Sequence, residues 1–388
     1  MNLLDGFLVL VLASTMIGAW RLGLIARLAS WLGIGLGFFI ALRVAPSAVR
    51  TLGTNDPMTR VFITALMFIG LAGVGAVVGE VVGLTVRKAL PLGGFRTLDR
   101  VGGAAFGALI AMIGFWLMLP VLAEVPGSVA RQVRTSTLAA TIYRVAPDPP
   151  DALQTLRGLV STSGFPQVFA DLREAPDTGP PPAAAGMDQA VVARVAASTV
   201  RVTGRGCGGL QEGSGFTPRA DLVVTNAHVV AGTSNITVLR PDGQELAATP
   251  VLFDPNRDLA LLRVPGLSQQ PLPVADGKIG DVGAVFGHPG GQTQLEVSPA
   301  RVTDEREARG RDIYGRNTTL RYLFFLASRL APGDSGGALV NNSGDVIGVA
   351  FAISPDRAAT AYALTHVELR AVLGQATSGA VGTGGCTR

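Results

Sequence analysis

The sequence predicts a chain of two unlike halves: an N-terminal domain of four transmembrane helices, and a C-terminal all-β domain of two barrels closed by a helix. Four long apolar runs occupy the first third of the 388 residues. From about Val191 the pattern changes to short strands rich in Val, Ile, Thr and Phe, separated by Gly, Pro and Asp turns. The expected boundaries are 1–122 for the helical domain, 123–190 for a Pro-rich connector and 191–388 for the β domain.

The composition separates the same two halves. The whole chain carries 32 basic and 28 acidic residues, a net charge of +4. Residues 1–122 account for nine of the basic and four of the acidic ones, so this part has a net charge of +5 and the remainder −1. Because the basic excess flanks apolar runs, it indicates membrane topology and no nucleic-acid partner. With 48% hydrophobic and 15% charged residues, a disordered chain is excluded.

Each apolar run is close to or above the roughly 20 residues that a helix needs to cross a bilayer. The alternative for the first run is a cleaved signal peptide. Asp5 is the only charge before Arg21, however, and no small-residue cleavage site is evident, so a retained helix is favoured. Gly75, Gly79 and Gly83 recur every four residues, which predicts a closely packed helix face. The four runs are Leu3–Trp20, Leu28–Ala45, Val61–Val86 and Val101–Leu122.

The loops between the runs indicate an orientation. Six basic residues lie in the first and third loops and three in the second. Basic loops stay in the cytoplasm, so both termini and the β domain are expected outside it. Glu80, inside the third run, is a candidate functional residue, because a carboxylate in a membrane is costly. It could equally reach an interface or bond to a neighbouring helix.

The connector is rich in proline at 146–150 and 178–182, which favours an extended, semi-rigid linker. Helical spacing covers Ser128–Tyr143, and Ala152–Val160 and Pro166–Glu174 could each form a short helix. We therefore expect a partly helical stalk. An exposed linker of this kind is a natural proteolysis site.

Three segments of the β half contain the residues of a nucleophilic hydrolase. His228 lies in a Thr-Asn-Ala-His-Val-Val box, Asp258 directly precedes Leu-Ala-Leu-Leu, and Ser335 lies in Gly-Asp-Ser-Gly-Gly. A serine hydroxyl needs a histidine to take its proton and deliver it to the leaving amine. A buried carboxylate holds the imidazole in the required tautomer. We therefore predict Ser335 as nucleophile, His228 as general base and acid, and Asp258 as the orienting carboxylate.

These motifs, in this order, resemble the trypsin-fold serine proteases, and in particular the bacterial HtrA-type branch, from Val191 to about Leu373. The resemblance implies a chymotrypsin-like double β-barrel whose substrates are proteins and peptides, with no cofactor and no metal. The turn around Ser335 is expected to aim the N–H groups of Gly333 and Ser335 at a developing oxyanion. Glycine at 333 permits the required conformation and close approach.

Several residues have competing interpretations. His228 could be a core histidine, although the box around it favours catalysis. Asp254 competes with Asp258, and the family pattern selects the residue directly before the Leu-Ala-Leu-Leu strand. Ser214 matches a scaffold position of the family. The two remaining histidines are expected to be a loop residue, His288, and a capping or exposed residue at the start of the last helix, His366.

The chain departs from these families in two ways. HtrA-type proteins usually continue into a PDZ domain. Residues 191–388 are expected to hold the protease domain without one, so substrate selection is expected to come from elsewhere. Trypsin-like proteases commonly carry a serine in the strand that lines the cleft after the nucleophile, but 348–352 contains none. Asp258 is then expected to use other donors. Arg329, six residues before Ser335, is placed near the base of the P1 pocket by analogy.

The two cysteines, Cys207 and Cys386, both lie in the β half and are 179 residues apart. An even count restricted to the part expected outside the cytoplasm favours a disulfide, and two unrelated buried thiols are the alternative. The bond would tie the C-terminal tail to the first barrel. The chain-entropy model assigns such a loop about 4–5 kcal/mol of stabilisation.

The membrane half is similar to the colicin V production (CvpA-type) family, through its four Gly-rich spans and the segment 98–107, Leu-Asp-Arg-Val-Gly-Gly-Ala-Ala-Phe-Gly. The two halves together resemble membrane-anchored periplasmic proteases of actinobacteria associated with acid resistance. This resemblance implies processing of envelope proteins in acid or oxidative stress. A small transporter with Glu80 in its path and a regulatory β domain is the alternative. Self-cleavage of the stalk between Val125 and Ala190 is a third hypothesis.

Overall fold

The computed structural model describes residues 2–51, 57–90, 95–125, 127–146, 175–357 and 359–387. The chain divides into two compact units, residues 1–117 and 118–388. The predicted helices Ala152–Val160 and Pro166–Glu174 lie outside the described residues.

The first unit consists of long apolar helices: α1 (Leu3–Thr51), α2 (Pro57–Ala89) and α3 (Arg96–Leu122), whose last turns belong to the second unit. Among the described residues, three helices are long and apolar enough to cross a membrane. The first two predicted runs both lie in α1, which consists of two helical segments joined by a kink. Only Gly23 leaves the helical conformation between them, with φ 80° and ψ 167°. The connecting residues are mostly good helix formers, so the helix resumes at once.

The break at Gly23 is surrounded by charged side chains from the other two helices. Asp99 accepts a hydrogen bond from the Ile25 amide (3.1 Å) and pairs with Arg87 (2.7 Å). Arg87 also donates to the Arg21 carbonyl (3.1 Å). A side chain at Gly23 would collide with Asp99, so glycine is required there by contact as well as by its positive φ. These bonds satisfy the backbone groups that the break releases.

The predicted glycine face is confirmed. Gly75 packs against the backbone of Gly33, and Gly79 and Gly83 pack against the stretch of α1 around Ala29. A Cβ at any of the three α2 positions would meet α1 backbone or side chain, so α1 and α2 touch along their main chains.

In the second unit, two short helices follow the last turns of α3: α4 (Ser128–Arg134) and α5 (Thr137–Val145). They fall within the stretch predicted to be helical. Both precede the Pro-rich segment, and α6 (Gln189–Ala197) follows it and leads into the first strand. The Gly127 amide donates to the Pro355 carbonyl (2.9 Å) and Arg131 to the Asp356 carbonyl (3.2 Å), so the start of α4 contacts the β domain.

Within the described residues, thirteen strands form two sheets. A seven-stranded sheet has the order β5-β4-β1-β2-β3-β7-β6, and a closed six-stranded barrel has the order β10-β13-β12-β11-β8-β9. The strands of the sheet are β1 (Thr199–Gly206), β2 (Gly209–Arg219), β3 (Leu222–Thr225), β4 (Thr233–Leu239), β5 (Glu245–Ala247), β6 (Thr249–Asp254) and β7 (Leu259–Arg263). The strands of the barrel are β8 (Val282–Gly287), β9 (Glu296–Arg311), β10 (Thr318–Ala327), β11 (Ala338–Asn341), β12 (Val346–Ile353) and β13 (Thr360–Thr365).

At the edge of the first sheet, β5 pairs with β4 after a tight turn. In that turn Arg240 N bonds to the Gln244 carbonyl (2.9 Å), and Gly243 has φ 85°. A polar Pro-Asp-Gly turn of this kind returns the chain as a hairpin.

Apolar side chains from both sheets share one core. Phe216 of the first sheet and Phe286, Phe325 and Phe351 of the barrel are all fully or almost fully buried in it. The last helix, α8 (His366–Leu373), buries Leu369 and Val372 against the same core. The functional side chains lie where these two sheets meet.

Candidate active site

The His228 and Asp258 side chains meet because their strands are neighbours. β3 pairs antiparallel with β7, with Thr225 opposite Ala260. The residue that follows β3 and the one that precedes β7 therefore lie at the same end of the sheet. His228 is on the one-turn helix α7 (Ala227–Val230) that follows β3, and Asp258 directly precedes β7.

The Asp258 carboxylate is fully buried, and His228 supplies a donor to each of its oxygens. The His228 backbone amide donates to Oδ1 (2.8 Å), and Nδ1 of the imidazole lies 2.6 Å from Oδ2. Asn226 Nδ2 donates to the Asp258 backbone carbonyl (2.8 Å). The carboxylate is thus placed to fix the imidazole with Nδ1 protonated, which leaves Nε2 as the nitrogen that accepts a proton.

Ser335 lies on the tight turn between β10 and β11. The turn is closed by hydrogen bonds from Asp334 N to the Ala331 carbonyl (3.1 Å) and from Ala331 N to Asp334 Oδ2 (2.8 Å). Burial raises the pKa of the Asp334 carboxyl to about 6, although the Ala331 amide opposes the shift. Ser335 and His228 line one cavity of about 340 Å³, which brings the predicted nucleophile and base to the same space.

The predicted oxyanion donors have the required backbone. Gly333 has φ 103°, a conformation that favours glycine, and a Cβ there would collide with the His288 carbonyl. Among the described residues, the Gly333 and Ser335 amides donate to no protein acceptor. Both residues line the cavity. Two N–H groups are therefore available beside the Ser335 hydroxyl.

Ser214, predicted as a scaffold residue, stabilises this turn by hydrogen bonds. Its hydroxyl donates to the Gly333 carbonyl (2.7 Å) and accepts from the His288 amide (2.8 Å). Its own amide donates to the Ser335 carbonyl (2.8 Å). Gly290 N adds a bond to the Pro332 carbonyl (2.6 Å), so the peptides on both sides of Gly333 are fixed. The Gly-Ser-Gly motif was visible in the sequence, but nothing in it showed which carbonyl the hydroxyl reaches.

The other sequence candidates lie apart from the reacting groups. Asp254 accepts bonds from the Asn256 and Arg257 amides (both 2.9 Å), as expected of a turn residue. His366 begins α8, where its Nδ1 accepts from the Gly277 amide (3.2 Å). Arg329 is exposed on the surface.

His288 is a loop residue, as predicted, but its side chain is buried, and burial lowers its pKa. In the described residues no cluster of three or more metal-ligating side chains occurs.

A disulfide joins Cys207 and Cys386, whose Cα atoms are 5.6 Å apart. Cys207 lies at the tip of the β1–β2 hairpin and lines the cavity, together with Thr387 of the tail. Gly232 N bonds to the Thr383 carbonyl (3.0 Å), which holds the tail beside the hairpin. The predicted pairing is therefore present, and it forms one wall of the space in front of Ser335.

Comparisons with known proteins agree with this geometry. Residues 213–349 match the trypsin-like peptidase domain family, and residues 4–147 match the colicin V production protein family. The serine protease Rv3671c of Mycobacterium tuberculosis is 32% identical over 382 residues, which is 95% of each chain. The chain belongs to this serine protease family. It is an enzyme that combines a CvpA domain with a trypsin-like domain.

More distant relatives and a solved structure support the same assignment for the protease unit. Bovine mitochondrial serine protease HTRA2 is 35% identical over 164 residues, 38% of this protease and 35% of HTRA2. The crystal structure of the Rv3671c protease in its active form aligns with a TM-score of 0.52 and 36% identity, covering 54% of this chain and 94% of that one. The β-rich unit of the protease therefore has the chymotrypsin-like fold.

Proposed function

We propose that this protein is a membrane-tethered serine endopeptidase in which Ser335 attacks the peptide carbonyl. His228 takes the serine proton and delivers it to the leaving amine, and Asp258 orients the imidazole and stabilises its charged form. One observation carries the assignment: Ser335 and His228 line one cavity, and the imidazole of His228 is held from the other side by the fully buried Asp258.

The Gly333 and Ser335 amides stabilise the oxyanion that develops during the attack. The support is that both amides border the cavity and that Ser214 and Gly290 fix the peptides around Gly333. Donors that are fixed before the reaction need no reorganisation as charge develops, and losing one typically costs about 2.7–4 kcal/mol of transition-state stabilisation.

The membrane unit spans the bilayer four times, with α1 crossing twice. The apolar stretch Leu3–Val44 has 42 residues, and as a helix it would be about 63 Å long, twice the ~30 Å of a hydrocarbon core. The interruption at Gly23 lies near the middle of this stretch and next to Arg21. The basic loops then favour both termini outside the cytoplasm. A disulfide in the protease unit fits that oxidising side.

Its substrates are proteins of the cell envelope, cleaved during acid or oxidative stress, and its own connector between residues 125 and 190 is a further substrate. The stress role rests on the resemblance to membrane-anchored actinobacterial proteases. The self-cleavage rests on the Pro-rich composition of the connector, which is typical of extended, accessible chain.

The test of the catalytic assignment compares the full chain in detergent with its Ser335→Ala variant on a fluorogenic peptide library. Ser335→Ala is expected to lower kcat by about 10⁴-fold or more, because the nucleophile is lost. The control is Ser234→Ala, which removes an exposed hydroxyl on β4. Full cleavage by Ser335→Ala would overturn the proposal. Release of a soluble fragment by the wild type but not by Ser335→Ala would establish self-cleavage, and equal release by both would reject it.

A further inference from the structure

The loop that carries Asp258 is held by a buried arginine from the other sheet. Arg321 lies on β10 and is only 2% exposed, an unusual position for a guanidinium. Its Nε donates to the Asn256 carbonyl (2.6 Å) and its Nη2 to the Arg311 carbonyl (2.9 Å). Its Cζ lies 5.1 Å from the centre of the Phe351 ring. The side chain is therefore fixed on three sides.

The bond to Asn256 acts two residues before Asp258. Asp258 has φ 59°, in the left-handed region that a non-glycine residue occupies only when its surroundings impose it. The Asn256 carbonyl also accepts from the Thr319 hydroxyl (3.1 Å), again from β10. Two side chains of the barrel thus hold one carbonyl of the loop and help to impose the conformation that aims Asp258 at His228.

The charge of Arg321 faces a group of acids around this loop. Burial lowers the pKa of Arg321, and the attraction of Asp258, Glu368, Asp254 and Asp312 opposes that shift. Asp254 ends β6, Asp258 lies on the loop, Glu368 is on α8 and Asp312 follows β9. Arg257, whose side chain is 39% exposed, pairs with Asp254 (3.1 Å) and Glu368 (3.0 Å). Arg321 is the buried cation that these acids attract.

We propose that Arg321 is a positioning residue for catalysis: it fixes the loop that presents Asp258 and places a buried positive charge behind the His228–Asp258 pair. This inference rests on the proposed roles of the two residues. The Asp258 carboxylate attracts this charge, and the bond from Arg321 to the Asn256 carbonyl holds the loop in place. Arg321 and Thr319 together form a clamp on the Asn256 carbonyl, since both side chains donate a hydrogen bond to it.

The experiment measures kcat and KM of the full chain in detergent between pH 4 and pH 9 on a fluorogenic peptide. Arg321→Gln and Arg321→Met remove the charge, Arg321→Lys keeps it, and Thr319→Val removes only the hydroxyl. The matched control is Arg306→Met, which removes a guanidinium that also lies over a phenylalanine ring but is 57% exposed.

For the two neutral variants we expect kcat at neutral pH to fall by about tenfold, with KM little changed, because the orienting carboxylate is less well placed. Arg321→Lys recovers part of the lost kcat, because its ammonium can still donate to the Asn256 carbonyl. Thr319→Val lowers kcat a few-fold, and Arg306→Met matches the wild type.

A folded neutral variant with the wild-type kcat, or one that raises KM and leaves kcat unchanged, would overturn the positioning role, because a misplaced orienting carboxylate lowers kcat. If both neutral variants unfold, Thr319→Val decides, and an unchanged kcat in that variant would overturn the clamp. The Ser335→Ala variant separates failure of this inference from failure of the proposed function. If the proposed function is wrong, Ser335→Ala cleaves the peptide. If only the role of Arg321 is wrong, Ser335→Ala stays inactive.

Discussion

The seven-stranded sheet and the six-stranded barrel hold opposite halves of the proposed catalytic set, and each half is fixed by a side chain from the other sheet. The first sheet presents His228 and Asp258, and the barrel presents Ser335. Ser214 of the first sheet bonds to the turn beside Ser335, and Arg321 of the barrel bonds to the loop before Asp258. The arrangement is reciprocal, because each sheet donates a hydrogen bond to the segment of the other that carries a proposed catalytic residue.

The first sheet and the barrel each have a buried aspartate near the proposed catalytic residues, and the two carboxylates have different surroundings. Both oxygens of Asp258 are bonded to His228, and Arg321 adds a positive charge. Asp334 accepts the Ala331 amide and has Glu296 among its neighbours, so burial prevails and its pKa rises to about 6. The first carboxylate therefore has a bond to each oxygen, whereas the second costs stability when it ionises.

Removing the disulfide is expected to have the largest effect on the stability of the first sheet and the barrel. The tail after α8 returns along β6, where Thr377 N bonds to the Val251 carbonyl (3.0 Å), and ends at Cys386 against the hairpin of the first sheet. The double variant Cys207→Ser/Cys386→Ser is expected to lose about 4–5 kcal/mol of unfolding free energy, because the open chain gains conformational freedom.

The measurement is pulse-labelling hydrogen exchange along a urea gradient, read on peptides of β2 and β12 so that each sheet reports separately. Reduced wild type serves as the control and should show the same loss as the double variant. Unfolding of the double variant at the urea concentration of the oxidised wild type would contradict this prediction.

Asp334→Asn tests the difference between the two aspartates. The pKa of Asp334 in the folded protein, about 6, lies above its ordinary value of 3.8, so its contribution to stability is fully present below pH 3.8 and is lost as the pH rises through 6. The shift corresponds to about 3 kcal/mol. Asparagine has no charge to bury and can still accept the Ala331 amide. At pH 4 part of this cost is already present, because the unfolded carboxyl has begun to ionise, so the advantage of Asp334→Asn over the wild type should grow by about 2.4 kcal/mol between pH 4 and pH 8.

The same urea experiment is repeated at both pH values on the β10 and β12 peptides. It gives the stability difference between variant and wild type at each pH. The change in that difference excludes groups that titrate equally in both proteins. A gap between variant and wild type that does not change with pH would show that the Asp334 carboxylate is not penalised by burial.

Ser214→Ala has the smallest expected effect and isolates the support that the first sheet gives to the barrel. The Gly333 carbonyl loses its donor, so the adjacent amides are less well aimed at the oxyanion. We expect kcat to fall by about 10–100-fold, less than for complete loss of a donor, with KM unchanged. Steady-state kinetics on one fluorogenic peptide, with Ser234→Ala as the matched control, check this. An unchanged kcat would mean that the other bonds around Gly333 suffice.

The motifs of the protease half could be read from the sequence because each lies in a contiguous box. The order His228, Asp258, Ser335 predicted the residues that the fold brings to one place. The bonds between the sheets could not be predicted, since they join residues far apart in the chain. One indication of the role of Arg321 is present in the sequence. Residues of β10 alternate between the two faces of the strand, and Arg321 is on the same face as the buried Leu323 and Phe325. Leu320 and Tyr322, on the other face, are exposed. An arginine on the inward face of a strand requires a partner there.

In the membrane half, composition predicted the apolar runs and the contact face of α2. It also predicted a boundary between the first two runs, and α1 leaves the helical conformation there, at Gly23. It did not predict that a single glycine makes this break. The Asp99 and Arg87 side chains that satisfy the break come from helices about 65–75 residues further along the chain, so local sequence gave no sign of these bonds.

The most direct test of the account is covalent labelling of the full chain with a serine-directed fluorophosphonate, followed by intact-mass and peptide analysis. We predict one adduct per chain, on the peptide that contains Ser335, and strongly slowed labelling in His228→Ala. Labelling of a different serine, or cleavage of peptides by a chain whose Ser335 stays unmodified, would contradict the assignment of Ser335 as the nucleophile.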